Sequence, residues 1–332
     1  VAAGDGRDHK TRRAADQGRD CGRRGRRCKV RRSNQGERIM PEKHAVIVRP
    51  RRSVLYLPGT NVRALDKART LPVDALILDL EDSVAPDMKA VARDQVAAAL
   101  RAGGFGAREV VVRVNTLDGP WGDDDLAAVA AAGPDAVALP KVDAPDMILD
   151  AADRLAEFGR ADIALWAMIE TPAGVLAAPA IAAAGRGVAA LVVGTNDLAK
   201  ETRARQVKGR APMLAWLSQI VLAARAAGID VLDGVFNNLD DEAGFADECL
   251  QGLELGMDGK TLIHPKQIAI ANATFAPNET EIAAARRILE AFAAPENHNR
   301  GVIALDGRMV ERLHAEMAAR TVALAEAIAA RR

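Results

Sequence analysis

Eight short apolar runs, separated by stretches of helical length, limit what this chain can become. The runs fall at residues 53–57, 75–80, 110–114, 136–139, 165–169, 191–193, 231–235 and 261–263. Continuous apolar strands that alternate with helices pair in parallel, with both sheet faces covered. The intervening residues 62–71, 89–102, 126–132, 144–158, 175–184, 212–227 and 242–255 repeat apolar side chains at helical spacing. Gly103, Gly133, Gly159, Gly228 and Gly256 stand where a left-handed cap would end such helices. Asp87 and Asp240 are the expected N-caps. Eight strand–helix units match a closed (β/α)8 TIM barrel better than an open sheet.

The ends of the chain do not fit the repeat. After the eighth run a helix is expected at 280–292, then a linker at 295–300, a segment at 301–310 and a last helix at 311–330. That tail is too long to be one more barrel helix and must lie over something. The expected division is a barrel at 50–293 and a C-terminal lid segment with its helix at 294–332. Residues 1–39 carry 13 Lys/Arg against 5 Asp/Glu, no hydrophobic periodicity and two of the three cysteines, Cys21 and Cys28. They read as a basic disordered tail, or as sequence upstream of a true start at Met40. A nucleic-acid-binding arm is the rival reading for this segment.

Composition narrows the class. Aromatic residues make up only 3% of the chain, which argues against a base-stacking platform. No apolar run is long enough to span a bilayer, and the N-terminus has no secretory h-region. Cys249 alone in the globular part gives neither a disulfide framework nor a CxxC metal site. A soluble cytoplasmic enzyme on a small-molecule substrate is the expectation.

Barrel active sites form at the C-terminal ends of the strands. The polar residues of this chain gather there. The first run leads into Tyr56 and Pro58-Gly59-Thr60, the second into Asp79, Glu81 and Asp82, the third into Arg113 and Asn115. The fourth leads to Lys141, the fifth to Glu170, the sixth to Asn196-Asp197, the seventh to Asp233, and the eighth to His264 and Lys266. Glu170 and Asp197 end adjacent strands, so their carboxylates can converge. Two carboxylates, completed by water and substrate oxygens, suit Mg²⁺, and no His/Cys cluster suits zinc. The competing reading has each acid capping a helix or pairing with a base. Arg113 could likewise neutralise Glu81 or Asp82. Lys141 and Lys266 could form Schiff bases, although ion pairing is the better reading beside a metal site.

The stretches RRSVLYLPGTN, LDLEDSVAPDMK, VVRVN, LPKV, MIETPAG, GTNDL and GKTLIHPKQI occur in this order. Together they resemble the citrate lyase β-subunit/malyl-CoA lyase group of the HpcH/HpaI aldolase superfamily, over about residues 51–316. The resemblance implies a Mg²⁺-dependent barrel, with Mn²⁺ able to substitute, that works as a homotrimer or homohexamer on coenzyme A thioesters. It implies that Glu170 and Asp197 are the metal ligands, with Glu170 also touching substrate. It places Arg113 against the thioester or enolate oxygen, and Tyr56 and Lys67 against coenzyme A. GRMVE, residues 307–311, resembles the family's lid motif, whose last residue is usually an Asp supplied to a neighbouring subunit as acid/base. Glu311 stands there in this chain, one methylene longer.

The implied reaction is carbon–carbon cleavage of a 3-hydroxy-dicarboxylyl-CoA (malyl-, citramalyl- or citryl-CoA) to an acyl-CoA and a 2-oxo acid such as glyoxylate. In it Arg113 would stabilise negative charge on the thioester oxygen, and Glu311 would exchange the proton on carbon. The alternatives are a (3S)-malyl-CoA thioesterase, a CoA-independent metal aldolase, and a citrate lyase β-subunit active only in a complex.

Overall fold

The structure is a computed structural model and describes residues 48–331. The tail at 1–39 lies outside the described residues. Eight parallel strands close into a barrel in sequential order. They are β1 (Ser53–Pro58), β2 (Ala75–Asp79), β3 (Glu109–Arg113), β4 (Ala136–Leu139), β5 (Ala164–Ile169), β6 (Val188–Val193), β7 (Asp230–Asp233) and β8 (Gly259–Leu262). The helices through the barrel are α1 (Val62–Ala68), α2 (Lys89–Ala102), α3 (Gly122–Ala132), α4 (Pro145–Glu157), α5 (Pro172–Ala182), α6 (Thr195–Thr202), α7 (Leu214–Ala227), α8 (Glu242–Leu255) and α9 (Ile268–Thr274). Beyond it come α10 (Glu279–Ala293), a hairpin of β9 (Val302–Leu305) and β10 (Arg308–Glu311), and α11 (Arg312–Ala329).

The TIM-barrel expectation holds strand by strand, and α2 and α8 fall where the periodicity put them. Two short helices, α6 and α9, were not expected. At eight and seven residues they are too short to show a repeat. Both expected aspartate caps are corrected. Asp87 lies inside a single 3₁₀ turn, Pro86–Met88, and Asp241 rather than Asp240 caps α8 by accepting from the Gly244 N–H.

Alternation along each strand sorts the side chains into two cores. Outward residues such as Leu55, Leu78, Val112 and Leu191 pack under the helices. Inward residues, among them Val54, Ile77, Val111, Trp166, Met168, Val192 and Leu232, fill the barrel. At the N-terminal end the interior is closed by charge. Arg51 donates to both Glu109 oxygens at 2.7 and 2.8 Å and to Asp230 at 2.7 Å, and lies over the Trp166 ring. At the opposite end the register sets Pro58, Asp79 and Arg113 side by side on β1, β2 and β3. A floor for a polar site is thereby set by strand pairing alone.

Residues 295–331 form neither a barrel unit nor a cover over this chain's own strand ends. Asp306 (φ 51°) and Gly307 (φ 73°) make the two-residue turn of the β9–β10 hairpin, a conformation that suits an Asp-Gly pair. Ile303 and Val310 pack on Phe292, Ile288 and Ala291 of α10 and on Ala315 of α11. α11 is tied to the N-terminal side of the barrel. Its Arg320 reaches Asp258 at 2.7 Å, and Arg331 just past the helix reaches Asp74 at 3.4 Å. Both partners immediately precede strands of the barrel.

Candidate active site

Three barrel strands build the cationic half of the site. Arg113, the last residue of β3, is 8% exposed and points into the barrel mouth. Its Nε and one terminal nitrogen donate to the two Asp79 oxygens, each at 2.7 Å. Its other terminal nitrogen lies 2.9 Å from Glu81 and 3.7 Å from Asp82. A guanidinium has five N–H donors, and the hydrogen bonds to Asp79 occupy only part of that set. Burial disfavours the charge on Asp79, but Arg113 and the amides of Ser83 and Glu81 outweigh it and hold the carboxyl below its usual range. Burial likewise opposes the charge of Arg113, and Asp79 with Glu81 more than offsets it. The Tyr56 ring supports the guanidinium from below, 5.0 Å from centroid to carbon, with its hydroxyl turned toward Met168 sulfur at 3.9 Å. The ring is therefore part of the floor, and burial pushes the phenol up.

The acidic half is Glu170 and Asp197. Glu170 follows β5, is 1% exposed, and accepts the Lys141 backbone N–H at 2.8 Å. Among the described residues no lysine or arginine pairs with it. Burial pushes its carboxyl up to about 7, against the opposing pull of the Lys141 N–H and Arg113. Its second oxygen lies against Gly194, where a Cβ would come within 2.4 Å of Oε2. Asp197 does not end β6 as the sequence reading had it. Gly194 caps α6, and Asp197 sits half-buried in that helix's first turn. Its carboxylate has no hydrogen-bond or ion-pair partner among the described residues, so the capping and ion-pair alternatives do not hold for it.

Arg113 and Lys141 lie at this mouth with Asp79, Glu81, Asp82, Glu170 and Asp197, and the buried Lys89 ammonium donates to the backbone carbonyls of Leu80 and Glu81 and to Asn115 beside them. A buried glutamate without an ion pair and an unpartnered aspartate on the adjoining unit fit a hard divalent cation. The described residues contain no cluster of three or more His, Cys, Asp or Glu able to hold a metal unaided.

The remaining candidates separate. Lys67 is exposed in the last turn of α1. Glu311 is exposed as the N-cap of α11, where its backbone N–H donates to His314 Nδ1 at 2.9 Å. Neither touches the Arg113–Glu170 group within the chain. His264 accepts the Lys266 N–H through Nδ1, and Lys266 lies 3.6 Å from Asp240, so neither enters the site. Asp233, at the end of β7, is fully buried between Arg210 at 2.7 Å and Lys260 at 3.0 Å. Lys260 was missed by sequence reasoning because a lysine inside an apolar strand gives no sign of which carboxylates surround it.

The HpcH/HpaI aldolase/citrate lyase family model matches residues 52–265, the stretch that carries every barrel strand. The chain belongs to this family. Its relatives include a protein of Cereibacter sphaeroides (strain KD131) named (3S)-malyl-CoA thioesterase, 49% identical over 282 residues, 85% of this chain and 96% of the relative. The citrate lyase subunit beta of Escherichia coli K12 is 38% identical over 269 residues, 79% of this chain and 89% of the relative. Among solved structures, protein CitE from Mycobacterium tuberculosis in complex with magnesium, acetoacetate and coenzyme A superposes with a TM-score of 0.66 at 29% identity. It covers 81% of this chain and 97% of CitE. Among the described residues no helix is long and apolar enough to cross a membrane.

Proposed function

We propose that this chain is a Mg²⁺-dependent enzyme that cleaves a 3-hydroxy-dicarboxylyl-CoA thioester of the malyl-CoA type. The carbon–carbon bond breaks to give an acyl-CoA and a 2-oxo acid. The observation that carries this reading is Glu170, a buried carboxylate with no ion-pair partner among the described residues, packed against Gly194, which caps the helix whose first turn carries the unpartnered Asp197. Family relatives solved with magnesium support it.

Glu170 and Asp197 would hold the ion. Bound magnesium would polarise the oxygens of the 2-oxo or 2-hydroxy acid. Arg113, fixed by Asp79 and Tyr56 before substrate arrives, offers its remaining N–H donors to the thioester oxygen as negative charge develops there. Preorganised donors of this kind contribute most in a site screened from water. The enolate carbon left by cleavage needs a proton. Glu311 of a neighbouring subunit is assigned as its source, because α11 holds this chain's own Glu311 with the hairpin packed on α10. Lys67 is assigned to the coenzyme A phosphates or pantetheine, as an exposed cation on the unit that follows β1.

A second reading, thioester hydrolysis, is favoured by relatives at 47–49% identity named (3S)-malyl-CoA thioesterase. The same Arg113 would stabilise a tetrahedral oxyanion, with water replacing the carbon–carbon step. The product set decides. Malyl-, citramalyl-, methylmalyl- and citryl-CoA are incubated with the protein in Mg²⁺ and in EDTA, and both thiol and 2-oxo acid are assayed. Acyl-CoA with 2-oxo acid supports the lyase, whereas free thiol with the intact hydroxy acid supports hydrolysis. Undiminished turnover in EDTA overturns the metal assignment.

A further inference from the structure

Lys141 stands at the barrel mouth in contact with both Glu170 and Glu81. It follows β4 and adopts φ 51°, a left-handed conformation uncommon outside glycine and disfavoured for side chains with a Cβ. Strained residues of this kind persist where their surroundings over-determine them, and they cluster at functional sites. The surroundings here are two bonds that pull in different directions. The backbone N–H donates to Glu170 Oε1 at 2.8 Å. The ammonium pairs with Glu81 Oε1, and the other Glu81 oxygen faces Arg113 at 2.9 Å. Lys141 also lies 3.8 Å from Asp82.

We propose that Lys141 is a positioning residue that couples the two halves of the site. Its left-handed backbone turns one N–H onto Glu170, fixing Oε1 so that Oε2, beside Gly194 at the start of the Asp197 helix, is the oxygen presented to the ion. Its ammonium holds Glu81 against Arg113, so the guanidinium keeps one orientation while charge moves onto the thioester oxygen. The two tasks belong to different atoms of one residue and are separable. This inference rests on the proposed roles of Glu170 and Arg113.

The geometry also weighs against the Schiff-base alternative for Lys141. An imine-forming lysine needs a neutral amine. Here the amine is ion-paired with Glu81, a contact that raises its affinity for the proton although burial opposes it.

The test separates side chain from backbone. Lys141→Met keeps the N–H and removes the ammonium. It should lower kcat about 10–100-fold, the range for partners that orient a site's directly acting groups. KM and Mg²⁺ affinity, the latter measured by calorimetry on the metal-free protein, should change little. Lys141→Arg, which retains a cation in reach of Glu81, should recover most of the lost kcat. Lys141→Val places a β-branched side chain where φ must be positive, so it should disturb the backbone and weaken Mg²⁺ binding as well. Thermal melts of all three exclude unfolding as the cause. Parental kcat in Lys141→Met, or equal loss of Mg²⁺ affinity in Lys141→Met and Lys141→Val, would overturn the proposal. Glu170→Ala is the control for the reading beneath it. If that variant still binds Mg²⁺ like the parent, the metal assignment fails, whatever Lys141 does.

Discussion

At the scale of single residues, the site depends on an atom that is missing. Gly194 has no Cβ, and one built there would lie 2.3 Å from the Glu170 Cβ and 2.4 Å from its Oε2. Gly194→Ala must therefore move Glu170, because the helix start at Thr195 fixes the backbone on the other side. The expected result is a loss of Mg²⁺ affinity of at least tenfold by calorimetry, with the far-ultraviolet spectrum unchanged. Parental affinity in this variant would mean that Glu170 is free to swing, and that Gly194 is dispensable. The acids themselves were legible in the sequence, since charged residues at the ends of apolar strands have little packing reason to be there. Their partners were not. That Asp79 rather than Glu81 or Asp82 takes the two hydrogen bonds of Arg113 follows from the β2–β3 register, which sets Asp79 opposite Arg113. Nothing local in the sequence encodes that register. The position of Asp197 was off by a helical turn because α6, at eight residues, is too short to show a helical repeat in the sequence.

At the scale of elements, β7 and β8 are joined by buried charge as well as by pairing. Lys260 is fully buried and donates to Asp233 Oδ2 at 3.0 Å and to Glu248 of α8 at 2.8 Å, and Arg210 holds the other Asp233 oxygen at 2.7 Å. Burial opposes the Asp233 charge, but Lys260 and Arg210 outweigh it and the carboxyl is held below its usual range. A folded-state value below the unfolded one, about 3.9 for Asp, stabilises the fold above that pH. The contribution is lost as pH falls through the folded value. Asp233→Asn leaves Lys260 and Arg210 short of a counter-charge. It should cost about 3–5 kcal/mol near neutral pH, as breaking a buried pair does. The difference from the parent should begin to shrink below about pH 4, where the carboxyl of the unfolded chain protonates, and vanish only as pH falls through the lower folded value. Urea titrations at pH 7 and at about pH 3, below the unfolded carboxyl's value, follow the change, and a pH-independent difference would show that lost packing rather than lost charge is responsible. The strands of this pair were visible as apolar runs. The charged network between them was not, because its members are spread over residues 210–260 and meet only when the barrel closes.

At the scale of the whole molecule, the proposed proton donor and the site it serves stand apart within one chain. α11 is fastened to the N-terminal side of the barrel by Arg320, whereas Arg113 and Glu170 open at the C-terminal ends of the strands. Glu311 lies only nine residues before Arg320, a span of about 13 Å along a helix. The hairpin and the start of α11 leave Met309 75% and Met317 64% exposed, with Val302 and Leu313 partly so. Exposed apolar groups clustered in this way mark a surface that meets another protein. A second copy of the chain, receiving Glu311 at its own barrel mouth, accounts for both facts. Glu311→Ala should lower turnover by about 10²–10⁴ and leave Mg²⁺ affinity unchanged. Glu311→Asp should keep far more activity than Glu311→Ala. The decisive measurement mixes Glu311→Ala subunits with Asp197→Ala subunits, each inactive alone, after dissociation and reassembly. An Asp197→Ala subunit still carries its Glu311 and can offer it to a neighbour whose metal ligands are intact. Mixed assemblies should then regain part of the parental activity, in proportion to the number of such pairings. Activity that stays at the level of the separate variants would place Glu311 over its own barrel, and α11 would have to leave Asp258 and Asp74 for the lid to close.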